Sequence, residues 1–386
     1  MRLFKCQACS NPIYFENTAC VRCNHQVAYL PQSATMSALE PIGSSSTSKP
    51  IGSSSTSKPT GSSSTSEHTG LGKVTALADP DHPWKPCANA GLDACNWLLP
   101  AASTDTFCAA CRHNRTVPHL PSPGNMDAWR RMELAKHRLI YSLMRLGLPL
   151  PNRDDDPAGG LVFDFLEDPA SPHAPKVLTG HDEGVVTLAL KEADDAERER
   201  RRTEMHEPYR TLLGHFRHEV GHFYWNVLVR DQDRLTECRE VFGNDEEDYA
   251  EALQRHYDEG APPDWQDHFV STYATTHAWE DFAETWAHYL HIIDTLETAT
   301  AFGIEVHPEV ATQPGMQASP RLDPYTPGHF DALIAEWLPL TYAMNAMNRS
   351  MGLNDLYPFV LSPHVVQKLA FIHNLVHLPR QAALAA

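Results

Sequence analysis

Residues 211–229 read TLLGHFRHEVGHFYWNVLV, and the fold turns on how this run is taken. Tyr209, Leu212, Leu213, Phe216, Val220, Phe223, Tyr224 and Val227 recur at helical spacing and form one apolar stripe. The spacing predicts a helix over 208–229, with Pro208 in the first turn, where a missing N–H costs nothing. At about 100° per residue, His218 and His222 lie almost opposite the stripe, beside Thr211, Gly214 and His215. Two imidazoles one turn apart on one face can grip a single cation, and Glu219 between them stands beside any water on that cation. His218-Glu219-Val220-Gly221-His222 is therefore the HExxH pattern of zinc hydrolases, with Glu219 as candidate general base.

Such a centre needs a third protein ligand. The run WEDFAETWAHYLH at 279–291 has the same design. Trp279, Phe282, Trp286, Tyr289, Leu290 and Ile293 make its apolar stripe, and Glu280, Glu284, His288 and His291 line the opposite side. Glu280 is the preferred third ligand, with Glu284 and His288 as alternatives. If Glu280 coordinates, Glu284 would accept the free N–H of a coordinated imidazole, and His288 would also stand behind the ligands.

Around these two helices the chain reads as α+β. Helices are expected over Met126–Leu146, Glu192–Glu204 (a solvated, highly charged one), Pro327–Arg349 and Pro363–His377, the last two with Pro327 and Pro363 in their first turns. Short strands are expected over Leu161–Leu166 and Gly184–Leu190, the latter as a substrate-lining edge strand.

The N-terminal part has another composition. Cys6, Cys9, Cys20 and Cys23 form a CxxC-x10-CxxC array, and Cys87, Cys95, Cys108 and Cys111 a second set ending in CxxC. Four thiolates suit tetrahedral zinc, against iron or disulfides as alternatives. The spacing leaves open whether each set holds its own ion or the two interleave, hence one or two structural zinc ions. Cys238 is left over as a buried or incidental thiol. IGSSSTSKP occurs at 42–50 and again at 51–59, followed by GSSSTSE at 61–67, so residues 40–70 read as a disordered insert. The domain reading is a small β-rich cysteine domain over 1–118 and a mainly helical domain over 126–386.

The net charge of −18 opposes a general nucleic-acid binder. No run of about 18 apolar residues is present, which argues against a membrane span. Cysteines stand where a secretory signal would need an apolar stretch, so a cytoplasmic location is expected.

FKCQACSNPIYFENTACVRC (4–23), CRHNRTVP (111–118), LIYSLMRLGLPL (139–150), HEVGHFYW (218–225), WEDFAETWAHYLHI (279–292) and MGLNDLYPFVLS (351–362) together resemble a bacterial family of zinc-binding metallopeptidases with an N-terminal zinc ribbon. The resemblance covers nearly the whole chain except the serine-rich repeat. It implies a zincin-like catalytic domain of the Glu-ligand type, with one catalytic zinc besides the structural ones, acting on a peptide or protein substrate. Glu280 and Glu284 also resemble the third-ligand motif of other such zincins, some of which place an oxyanion-stabilising tyrosine seven residues before the ligand; Tyr273 stands at that offset. Two rival readings share these residues: an amidase or isopeptidase acting on protein conjugates, and a binding protein whose zincin domain is inactive.

Overall fold

The computed structural model describes residues 1–42, 72–169, 171, 173–204, 211–310, 313–328 and 330–385. The serine-rich repeat from 43 onward, Pro208 and Tyr209 lie outside the described residues. The chain is α+β and divides into two compact units, Leu3–Cys111 and Met1–Arg2 with Arg112–Ala386.

In the first unit a short antiparallel hairpin, β1 (Phe4–Lys5) with β2 (Pro12–Ile13), precedes an antiparallel meander. The meander runs in chain order: β3 (Val27–Leu30), β4 (Thr35–Pro41), β5 (Val74–Ala76), β6 (Asp79–Pro86) and β7 (Leu98–Pro100). Ala28, Leu30, Leu39, Val74, Ala76, Trp84 and Leu98 form its core. Tyr29 packs on Phe15 and Trp97, with ring centroids 4.9 and 4.7 Å away.

The cysteine sets gather separately. Cys6, Cys9, Cys20 and Cys23 converge as one group and Cys87, Cys95, Cys108 and Cys111 as another, so the two do not interleave. Sulfur–sulfur distances are 3.7 Å for Cys6–Cys23, 3.6 Å for Cys9–Cys20 and 3.6 Å for Cys95–Cys108. Four sulfurs about 2.3 Å from one ion would stand about 3.8 Å apart. Both CxxC loops of the first group close the same way: Ser10 N donates to Cys6 O and Asn24 N to Cys20 O, each from a residue of positive φ just after the second cysteine. Around the second group, backbone N–H groups of Trp97, Cys108 and Cys111 donate to the sulfurs of Cys95, Cys87 and Cys108. This donor set fits zinc in both places. Cys238 lies apart and buried, and burial pushes its thiol up to about 12, as suits an unreactive core residue.

The second unit holds a four-stranded sheet in the order β10-β11-β9-β8, from β8 (Asn114–Thr116), β9 (Val162–Leu166), β10 (Gly180–Asp182) and β11 (Val185–Ala189). Strand β9 is parallel to β8 and β11, and β10 is antiparallel to β11. The expected edge strand is thus an interior one: β11 is paired on both sides and β10 forms the edge. The reason is a two-residue turn at Glu183–Gly184, both of positive φ, as a tight hairpin of this hand demands. Only glycine fits at 184, since a Cβ there would stand 2.3 Å from Gly159 O.

The helices are α1 (Asn125–Leu146), α2 (Asp195–Glu204), α3 (Leu212–Leu228), α4 (Leu235–Phe242), α5 (Tyr249–Glu259), α6 (Ala278–Phe302), α7 (Phe330–Ser350) and α8 (Pro363–Ala385). Pro363 opens α8 as expected, whereas Pro327 precedes α7. The charged segment is not wholly a solvated face: Glu192 precedes α2 in a 3₁₀ turn, fully buried, 3.4 Å from His215 Nδ1. Helix α6 packs against α3, α7 and α8, and α1 covers another side of α3. Tyr224 stacks on Trp286 at 4.8 Å where α3 meets α6. Among the described residues no helix is long and apolar enough to cross a membrane.

His113 tests this core. It is buried, its Nδ1 lies 2.8 Å from Leu161 O, and burial pulls its pKa down to about 4. Between about pH 6.5 and 4 the unfolded chain therefore binds a proton that the folded one refuses. The stability present above 6.5 is lost as pH falls through that window, by up to about 3 kcal/mol. Substituting glutamine, which keeps a donor for Leu161 O, is expected to flatten the acid limb by up to about 1.4 kcal/mol per pH unit in denaturant titrations at stepped pH. An unchanged slope would contradict the assignment.

Candidate metal centre

Helix α3 starts at Thr211, whose hydroxyl accepts from Gly214 N at 2.9 Å. Helix α6 starts at His277, whose Nδ1 accepts from Trp279 N while its Nε2 donates to Glu247 O. The two helices meet at Gly221: a Cβ there would stand 3.0 Å from Ala283 Cα and 3.2 Å from Trp286 Cβ. This glycine lets α3 lie close enough to α6 for the polar faces one turn further along to converge.

What converges is His218, His222 and Glu280. Glu280 Oε2 is 3.0 Å from His218 Nε2 and 3.4 Å from His222 Nε2. Ligand atoms about 2.0–2.1 Å from a tetrahedral ion stand about 3.3 Å apart, so the spacing suits one zinc. Glu280 is 2% exposed, and its Oε2 makes no hydrogen bond within the protein. A buried carboxylate oxygen so placed is costly without a cation. On the other side of the ring, His218 Nδ1 donates to Glu284 Oε1 at 2.7 Å, leaving the Nε2 lone pair for an ion. Ser271 Oγ donates to Glu284 Oε2 at 2.6 Å and fixes that carboxylate in turn.

The electrostatics call for positive charge here. Burial alone would raise Glu280 and Glu284, yet the histidines hold Glu280 well below the usual carboxylate range and bring Glu284 to about 2. Burial would likewise lower His218, but the two carboxylates drive it well above its ordinary value. Two imidazoles and a carboxylate, backed by a second carboxylate, fit a divalent zinc ion.

Glu219 is buried on α3 between the two histidines, and its charge reaches the hydroxyls of Tyr249 and Tyr273. The Tyr273 ring centroid is 5.8 Å from that of His218. His288 stands one turn past Glu284 and is engaged elsewhere: its Nδ1 pairs with Tyr357 Oη at 2.7 Å and its ring meets Phe359 at 4.3 Å. Burial lowers it to about 4, so it stays neutral.

Several neighbours were not foreseen. Trp279 lies over His222 with centroids 3.7 Å apart, and His181 on β10 stacks on the same ring at 6.0 Å. Tyr249, the first residue of α5, donates to Glu280 Oε1 at 2.7 Å. His181, Trp225, Arg230, Tyr249, His277 and Trp279 help line a cleft of about 290 Å³ beside the trio. The amphipathic run YAEALQRHYDE after Asp248 could have announced α5, but no periodicity announces a tyrosine aimed at a glutamate thirty-one residues on.

Residues 125–375 match the family described as "Putative zinc-binding metallo-peptidase", and residues 3–62 and 63–122 each match a zinc-ribbon domain. Similar proteins occur in Mycobacterium bovis and Mycobacterium tuberculosis, each called an uncharacterized protein, 40% identical over 379 residues, which is 97% of this chain and 95% of each relative. No solved structure matches. With the match running from α1 into α8 and this identity along nearly the whole length, the chain belongs to this family of zinc-binding metallo-peptidases, with zinc-ribbon domains ahead of the matched region.

Proposed function

We propose that the chain is a zinc-dependent peptidase that hydrolyses peptide bonds with water, using Glu219 as general base and His218, His222 and Glu280 as the ligands of the catalytic ion. The observation that carries the reading is the convergence of His218 Nε2, His222 Nε2 and Glu280 Oε2, with Glu284 fixing the His218 ring. A zinc ion there supplies Lewis acidity, polarising a carbonyl and bringing the pKa of a water toward neutrality. Glu219 takes one proton from the attacking water as its oxygen bonds to the scissile carbon, and delivers it to the leaving nitrogen as the C–N bond breaks. The Tyr273 hydroxyl donates to the oxyanion of the tetrahedral intermediate. Tyr273 is suited to donate because burial and the charge of Glu280 keep it protonated. His288, held by Tyr357, supports the wall behind Glu284. The cysteine groups hold structural zinc, one ion each, making three ions per chain with the catalytic one.

An extended substrate is proposed to lie along β10, the sheet edge whose His181 and Asp182 line the cleft. The test is a quenched-fluorescent peptide library incubated with the zinc-loaded full chain. Cleavage, its loss to a chelator and its return on adding zinc are expected. Intact peptides and intact unfolded proteins at saturating zinc would overturn the reading; cleavage confined to protein conjugates would move it to an isopeptidase.

A further inference from the structure

We infer that Tyr249 is a positioning residue of the metal centre, holding the outer oxygen of Glu280 so that only the inner one faces the ion. The inference rests on the zinc reading of the His218, His222 and Glu280 trio, and it adds an element, helix α5, to that centre. The two oxygens of Glu280 have separate partners. Oε2 lies toward both histidine Nε2 atoms and makes no hydrogen bond in the protein, while Oε1 accepts from Tyr249 Oη at 2.7 Å.

The hydroxyl is built into its place. Asp248 caps α5 by accepting from Glu251 N at 2.9 Å, which fixes where Tyr249 leaves the backbone. The ring stands edge-on to His277 at 5.6 Å and to Trp279 at 6.0 Å, and Trp279 itself lies over His222. A carboxylate free at one oxygen can rotate or bind through both; one tied at Oε1 offers a single oxygen in a fixed direction. Partners of this kind govern metal affinity by roughly 10–100-fold.

The experiment is a zinc competition on the full chain against a chromogenic chelator, which reads affinity without any substrate. Glu280→Ala serves as reference for which ion belongs to the trio. Tyr249→Phe is expected to release that ion at roughly 10–100-fold lower chelator concentration, with the cysteine-bound zinc unmoved. Tyr257→Phe, an exposed tyrosine of the same helix, is expected to match the wild type. Tyr249→Ala should equal Tyr249→Phe; a loss confined to the alanine variant would assign the effect to ring packing and overturn the inference. So would a Tyr249→Phe protein that keeps wild-type affinity and loses only turnover, because the hydroxyl would then serve the reacting carbonyl. If Glu280→Ala loses no zinc, the trio is not the metal site and the proposed function falls with it. If the zinc affinities split as expected but no peptide is cleaved, only the proposed function falls.

Discussion

Replacing Glu219 with glutamine is expected to leave the zinc content of the chain unchanged and to cut peptide hydrolysis by roughly 10²–10⁴-fold in kcat. That loss corresponds to about 3–5 kcal/mol of transition-state stabilisation. Glutamine has the shape of glutamate, so the buried side chain at 219 is replaced without a cavity. What disappears is the capacity to accept a proton. The ion's position does not depend on Glu219, because the convergent atoms are His218 Nε2, His222 Nε2 and Glu280 Oε2. KM should therefore move little, and kcat and kcat/KM should fall together, as for an interaction made only in the transition state. Steady-state kinetics with zinc determination on the same preparation checks both halves. Full activity in the variant would remove Glu219 from the mechanism and leave the trio as a metal site without an assigned base.

The parts of the structure that were legible in the sequence are those in which burial leaves a period. Helices α3 and α6 follow their apolar stripes, and Phe216, Val220, Phe223, Phe282, Trp286 and Tyr289 are buried as the stripes require. The stripes did not show that α3 is covered on more than one side: Arg217 is buried as well, tied to Asp294 at 2.6 Å on α6. Polar partners far apart in sequence leave no period at all. Tyr249 on Glu280, Ser271 on Glu284 and Tyr357 on His288 are bonds of this kind, set only once the helices have packed. Strand β10 was hidden for another reason: three residues and a two-residue turn are too short for alternation to register. The cysteine spacing marked the candidate ligands but not their grouping, which appears only once Cys6, Cys9, Cys20 and Cys23 converge apart from Cys87, Cys95, Cys108 and Cys111.

The choice between Glu280 and Glu284 shows the limit most clearly, and it yields the second large expected effect. Both carboxylates lie on one face of α6, one turn apart, so helical spacing cannot rank them. The register of α6 against α3 can. Gly221 seats on Ala283, which puts the turn holding Glu280 level with both histidine Nε2 atoms and the turn holding Glu284 behind His218, at its Nδ1. Glu280→Ala is accordingly expected to lose the catalytic ion even at zinc concentrations that saturate the wild type, since two imidazoles remain where three ligands and a water are needed. Glu284→Ala removes only the acceptor that fixes the His218 tautomer. It should weaken the ion by roughly 10–100-fold and recover it, with activity, when zinc is raised. Equilibrium dialysis of both variants against graded zinc separates the two outcomes. Retention by Glu280→Ala with irreversible loss in Glu284→Ala would exchange the roles of the two glutamates, and with them the side of the His218 ring on which the ion sits.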